Sequence, residues 1–273
     1  MQNTYDVDLI TRKAAAIRKD IVVMLKTDKG HLGGSLSIAD IVATLYFGVM
    51  NFDPQNPKKP DRDRFILSKG HSVLAQYGAL IELGLVSPEK LDTLKSLGSP
   101  LQGHPDMRMF PGIEANTGAL GQGLSLANGI ALAARLDQET FYMYVIIGDG
   151  ELSEGQNWEA AMASAHYKLD HVIAFIDNNG LQATGMIGER FNTGPYKEKF
   201  AAFGWNTLEI DGHSIPDIIA AAEQAKTSKG RPTAIIAHTV KGKGVSFAEN
   251  NPAFHHNAMT QQQYEQALKE VTL

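Results

Sequence analysis

Two stretches decide most of what this chain can fold into. Residues 142–147, Tyr-Met-Tyr-Val-Ile-Ile, run into Gly148-Asp149-Gly150, and residues 172–176, Val-Ile-Ala-Phe-Ile, run into Asp177-Asn178-Asn179-Gly180. Each run is apolar at successive positions, so a strand built from it must be covered on both faces. That requirement selects a parallel sheet between layers of helices. Further strand-like runs stand at residues 64–67, 207–210 and 234–238. Helical spacing predicts helices over 9–24, 37–46, 73–83, 89–97, 124–136, 158–167, 196–203 and 216–225. A polar one at 261–270 is expected to face solvent or a partner. Ser37 reads as a helix cap, and Pro88 as a helix start. The alternation predicts the α/β class: a doubly wound, mainly parallel sheet with helices on both faces.

No repeat, linker or low-complexity tract divides the chain, so residues 1–273 read as a single domain. With 43% hydrophobic residues it can bury a core of that size. Residues 98–123, rich in glycine and proline, read as a long loop, and loops of that length are usually functional. A net charge of −5 offers no electrostatic footprint for nucleic acid or an anionic membrane. The absence of cysteine excludes disulfides and thiolate metal sites. Residues 1–6 lack the basic-then-apolar pattern of a leader, and no apolar run approaches a membrane span, so a cytoplasmic location is expected.

In open parallel sheets ligands bind beyond the carboxyl ends of the strands. Asp149, Asn178, Asn179, Gly70-His71 and Lys241-Gly242-Lys243-Gly244 are all expected at that edge. The common nucleotide motifs are absent. Gly244 follows Gly242-Lys243 where a P-loop needs Ser or Thr, and Ser153 stands where a dinucleotide fingerprint needs its third glycine. A carboxylate at a phosphate-binding edge makes sense when a cation separates the two. Mg²⁺ takes oxygen ligands and is often shared between a few protein groups and substrate phosphates. Asp149 offers a carboxylate, Asn179 an amide oxygen and Leu181 a backbone carbonyl. Alone, either acidic stretch is an ordinary turn; together, each behind a buried strand, they predict a metal–phosphate site.

The paired stretches resemble the thiamine-diphosphate motif, and the chain from about residue 18 to 256 resembles the N-terminal, cofactor-binding portion of transketolase. The resemblance rests on Gly30-His31-Leu32-Gly33-Gly34-Ser35-Leu36-Ser37, Ser68-Lys69-Gly70-His71, Gly103-His104-Pro105-Asp106 and Thr117-Gly118-Ala119-Leu120-Gly121-Gln122-Gly123. The paired metal stretches and Lys241-Gly242-Lys243-Gly244 with His255 complete it. It implies thiamine diphosphate held through Mg²⁺, Ca²⁺ or Mn²⁺ by Asp149, Asn179 and Leu181. It implies His31, His71 and His104 lining cofactor and substrate channel, and His255 (or its neighbour His256) approaching the cofactor and a substrate oxygen. His71, Gly118, Ala119, Leu120, Gln122, Gly150, Glu154, Asn179, Lys241 and His255 are the expected cofactor contacts. Leu32 and Ala119 stand where the family commonly has proline, or proline or serine. His166, His171, His213 and His238 read as ordinary structural or surface histidines.

Family enzymes take a glutamate for the aminopyrimidine ring from a second, pyrimidine-binding domain, which has no counterpart here. The expectation is therefore one subunit of a split transketolase, completed by a pyrimidine-binding subunit in a dimer of heterodimers and acting on sugar or sugar-phosphate substrates. The start at Met1 and the polar tail after His256 favour a natural subunit over a truncated longer chain. The alternatives are a subunit like the α chain of a 2-oxo-acid dehydrogenase, a deoxyxylulose-phosphate synthase-like or dihydroxyacetone synthase-like activity, and a noncatalytic scaffold that kept the fold.

Overall fold

A computed structural model describes residues 5–26 and 30–272. Residues 1–4, part of the segment tested for a leader pattern, lie outside the described residues. The chain opens with helices α1 (Val7–Met24), α2 (Leu32–Leu36) and α3 (Ala39–Thr44), then strand β1 (Arg64–Leu67) and helix α4 (Val73–Glu82). Helix α5 (Gly123–Leu136) leads to β2 (Met143–Gly148), α6 (Gly155–His166) and β3 (Val172–Asn178). A small hairpin of β4 (Leu181–Gln182) and β5 (Gly185–Met186) precedes α7 (Ile187–Arg190) and α8 (Tyr196–Ala202). Strand β6 (Asn206–Asp211), α9 (Ile215–Thr227), β7 (Thr233–His238) and α10 (Gln261–Val271) complete it.

Strands β1, β2, β3, β7 and β6 form one sheet in that order, every pair parallel. The alternating residues of β2 and β3 explain the double covering. Tyr144, Ile146, Ile173 and Phe175 enter a core shared with α1, α3, α4 and α9. Met143, Val145, Ile147, Val172, Ala174 and Ile176 enter the opposite core, against α5, α6 and α8. The doubly wound, parallel α/β fold is as expected. Register sets Gly148 beside Asp177 and Asn178 beside His238, so the carboxyl ends of β2, β3 and β7 lie side by side.

Three elements differ from expectation. Residues 89–97 form only a 3-10 turn, Pro88–Thr93, whose own residues are at most half-buried; Leu94 follows it in non-helical backbone and enters the core, which ends the turn there. Ser37 starts no helix but ends α2 as its C-cap, its N–H donating to Gly33 O; its hydroxyl donates to Asp177 Oδ2 at 2.8 Å, with Gly34 O at 3.0 Å, and α3 starts two residues later. The polar C-terminal helix turns Tyr264, Ala267 and Val271 inward and packs on α1. A reciprocal capping box of Thr260 and Gln263 starts it.

Candidate functional site

A cavity of about 460 Å³ opens at the carboxyl edge of the sheet. Asp149 follows β2 and is 2% exposed. Its Oδ1 accepts from Gly150 N at 2.7 Å and its Oδ2 from Gly180 N at 2.5 Å. Burial, with the nearby Asp177 charge, pushes this carboxyl up to about 7. Among the described residues no ammonium or guanidinium reaches hydrogen-bond distance of it. Asp177 is also fully buried but densely partnered: Lys69 Nζ, Thr239 Oγ1, Ser37 Oγ and Asn179 Nδ2 all donate to it. Burial opposes its ionisation most strongly. The Lys69 ammonium and these hydrogen bonds outweigh that and hold the carboxyl below the usual range.

The Asn179–Asp177 contact, 2.9 Å, determines which way the amide points, because only the NH₂ can donate to a carboxylate. Asn179 Oδ1 is thereby turned toward Leu181 N at 3.1 Å, on the cavity side with Asp149. The Leu181 carbonyl accepts from Lys241 Nζ at 2.7 Å, and Lys241 is 3% exposed. Among the described residues no three His, Cys, Asp or Glu side chains gather as a metal cluster. The donor set in the cavity is instead one carboxylate, one amide oxygen and one carbonyl. Those are hard oxygens with lone pairs to spare, chemistry that fits Mg²⁺ or Ca²⁺.

Four histidines line the cavity. His31 immediately precedes α2, His71 sits in the 3-10 turn after β1, and His255 follows the turn Pro252–Phe254. Ring centroids lie 4.8 Å apart for His31–His71, 5.2 Å for His31–His255 and 5.3 Å for His71–His255. Burial, reinforced by neighbouring histidines, pushes His31 down to about 3. Burial and the Lys241 and Lys69 charges push His255 down to about 4. His71 and His104 are lowered too, mainly by burial. All four are neutral at pH 7, each with one donor and one acceptor nitrogen. His255 Nδ1 is buried without a hydrogen-bond partner among the described residues. His256 is exposed and does not line the cavity, although its ring lies 4.5 Å from that of His31. Between these neighbours, His255 is the one that faces the cavity.

The long loop supplies His104, Gly118 and Leu120. Tyr77 OH donates to His104 O at 3.2 Å, and Thr117 Oγ1 to Leu67 O at 2.7 Å. Gly118 has φ +136°, and a Cβ there would stand 2.5 Å from His104 Cδ2, so glycine is required.

The structure brings His31, His71, His104, Gly118, Leu120, Asp149, Gly150, Asn179, Leu181, Lys241 and His255 to one cavity. Three expected cofactor contacts lie outside it. Ala119 is exposed and lines a neighbouring hollow that shares His104 and Gly118 with the cavity. Gln122 is exposed and pairs with Gln156 at 2.7 Å. Glu154 leaves the 3-10 turn Gly150–Ser153 in extended backbone and faces solvent. The inward acid is Glu151, 2% exposed, which accepts from Ser68 Oγ, Gly121 N and Gly148 N. Sequence reading missed it, along with the Lys69–Asp177 pair. The available signal was that Glu151 lies inside the short turn after the strand, whereas Glu154 ends it.

Residues 10–272 match the family model described as transketolase, thiamine diphosphate binding domain. The chain belongs to the transketolase family. It is 47% identical over 246 residues to the 6-deoxy-6-sulfo-D-fructose transketolase subunit SqwG of Clostridium sp. (strain MSTE9), covering 90% of each chain. It is 44% identical to an apulose-4-phosphate transketolase subunit of Phocaeicola vulgatus, covering 93% of this chain and 91% of that one. The transketolase structure from Campylobacter jejuni superposes with a TM-score of 0.90 at 32% identity, covering 97% of this chain and 43% of that chain. Compared with such solved transketolases, the chain spans about two fifths of the length; compared with the subunit-type relatives, nearly all of it. It therefore has the thiamine-diphosphate-binding fold of transketolase, in the form of an N-terminal subunit.

Proposed function

We propose that this chain is the diphosphate- and metal-binding subunit of a split, cytoplasmic transketolase. In this reading it moves a two-carbon ketol unit from a ketose donor to an aldose acceptor once a pyrimidine-binding subunit completes the site in a dimer of heterodimers. The observation that carries the reading is Asp149. It is a buried carboxylate that no cation contacts among the described residues, the Lys241 charge acting on it only from a distance, beside Asn179 Oδ1 and the Leu181 carbonyl in a histidine-lined cavity. These three oxygens would hold Mg²⁺ (Ca²⁺ and Mn²⁺ suit the same donors), and the Gly150 amide and His71 would meet the diphosphate. Gly118 and Leu120 would shape the pocket for the thiazolium ring. Thiamine diphosphate supplies, when bound, the nucleophilic carbon and electron sink that ketol transfer needs. The neutral imidazoles of His31, His104 and His255 would orient substrate hydroxyls and serve proton transfer to the substrate oxygen. Lys241 holds the Leu181 carbonyl in place.

The subunit names of the relatives support the split arrangement, and the sulfosugar and sugar phosphate in those names support a ketose with an anionic tail. The intact metal-type donor set disfavours a noncatalytic scaffold. Among the described residues no helix is long and apolar enough to cross a membrane. The test is reconstitution with the pyrimidine-binding subunit, calorimetry with thiamine diphosphate and Mg²⁺, and an assay against a panel of ketose donors. Asp149→Ala is expected to abolish Mg²⁺-dependent cofactor binding. Undiminished binding overturns the site, and full activity of the chain alone overturns the split.

A further inference from the structure

One histidine outside the cavity is built into a relay that ends on it. His213 follows β6 and is half-buried, close to α3. Its Nδ1 lies 2.7 Å from Asp40 Oδ2, and its Nε2 lies 2.8 Å from the backbone nitrogen of Val240. A backbone amide can only donate, so Nε2 is bare and the ring proton sits on Nδ1, facing the carboxylate. Arg18 grips the same carboxylate with both terminal nitrogens, Nη1 at 3.0 Å from Oδ1 and Nη2 on Oδ2. Arg18 and His213 thus share the Asp40 carboxylate, and the bare Nε2 accepts from Val240.

Val240 is joined directly to Lys241, whose ammonium holds the Leu181 carbonyl at 2.7 Å. On the other side of Lys241, Gly242 N donates to Gly33 O at 3.0 Å. That backbone contact fixes the far side of the lysine, as the His213 contact fixes the near side. The Val240 peptide therefore cannot rotate without giving up the His213 bond, and a rotation there would carry Lys241 off the Leu181 carbonyl.

We infer that His213 is a positioning residue for Lys241, acting through the Val240 amide to fix the lysine and the Leu181 carbonyl at the cofactor site. The inference rests on the proposed cofactor site, and its test separates the two. In the assembled two-subunit complex, His213→Asn keeps a donor near the Nδ1 position and loses the acceptor. His213→Gln keeps an acceptor near the Nε2 position. Amide hydrogen exchange at residues 239–244 and calorimetry with thiamine diphosphate and Mg²⁺ are measured for both variants. His213→Asn is expected to speed exchange at Val240 and to weaken cofactor binding by roughly tenfold, the usual scale for losing a supporting contact behind a metal ligand. His213→Gln is expected to stay close to wild type in both. Unchanged exchange at Val240 in His213→Asn, unchanged cofactor affinity there, or equal losses in both variants overturns the inference. Should His213→Asn not fold, His213→Gln decides alone: retained exchange protection and affinity support the relay, and their loss overturns it. A wild-type complex that binds no cofactor overturns the functional reading, whereas the exchange at Val240 reports on the relay regardless.

Discussion

Asp149 and Asp177 stand at the ends of neighbouring strands, and both are almost wholly buried, yet their carboxyls are pushed in opposite directions. Asp177 has a cation of its own, the Lys69 ammonium, and three further donors. Asp149 has two backbone amides and a like charge next door. Burial alone thus does not distinguish a structural acid from a ligand; the built-in counter-charge does. Asp177 is structural, since it locks Asn179 in orientation and ties α2 and β7 to β3 through Ser37 and Thr239. Asp149 is the acid whose environment calls for a cation from outside.

The comparison breaks most visibly at Lys69. Lys69→Met would leave Asp177 buried with no counter-charge, a loss of about 3–5 kcal/mol in similar buried pairs. Chemical denaturation of this protein is expected to show it, and a cost below about 1 kcal/mol would mean Asp177 does not depend on Lys69. At Asp149 the cost should be far smaller. Asp149→Asn removes a buried charge that no cation contacts but turns an NH₂ toward one of the two amides that donate to it, so the cofactor-free fold should change by no more than about 1 kcal/mol while metal-dependent binding falls by a factor of roughly 100. Denaturation and calorimetry on one preparation read both, and a loss of about 3 kcal/mol or more would place Asp149 with Asp177.

Asp20 on α1 serves as a control of smaller effect. It is 8% exposed, its Oδ2 has no partner among the described residues, and burial together with the Glu82 charge pushes it up to about 7. It lies away from the cavity lining. A carboxyl raised in the folded state contributes its stability at low pH and loses it as pH rises through the folded value. Stability should therefore fall between about pH 4 and pH 7, and Asp20→Asn should flatten that fall without changing cofactor affinity. A difference of about 1 kcal/mol would appear as roughly 2 °C in Tm at pH 8. Identical pH profiles for the two proteins would remove Asp20 as the control.

What could be read from the sequence follows from distance along the chain. The parallel sheet was legible because each strand announces itself by consecutive apolar residues, and Asp149, Asn179 and Leu181 because each follows such a run. The histidines were legible through the glycines and loops beside them. Lys69 with Asp177, and Arg18 with Asp40 and His213, were not, because their partners are far apart in sequence and meet only in the fold. His213 looked ordinary for the same reason. Glu151 was not legible beside Glu154, because a single turn decides which of two nearby acids points inward. Residues 89–97 bury Leu94 but place it past the end of the turn in non-helical backbone, and the C-terminal helix hid its three anchoring residues among polar ones.

Gly70 carries a consequence of another kind. A Cβ there would lie 2.6 Å from the carbonyl carbon of Thr117 and 2.7 Å from Gly118 N. The turn that presents His71 and the long loop that presents His104 therefore touch backbone to backbone, with no room for one methyl group. The loop has no helix or strand along residues 98–122, yet its path is as constrained as that of a strand. In evolutionary terms, its course is closed to variation near Gly118. Change is open at the outer bend around Met107, Arg108 and Met109, which are exposed. Related chains can diversify what they present at that rim by exchanging side chains, without redrawing the wall behind it.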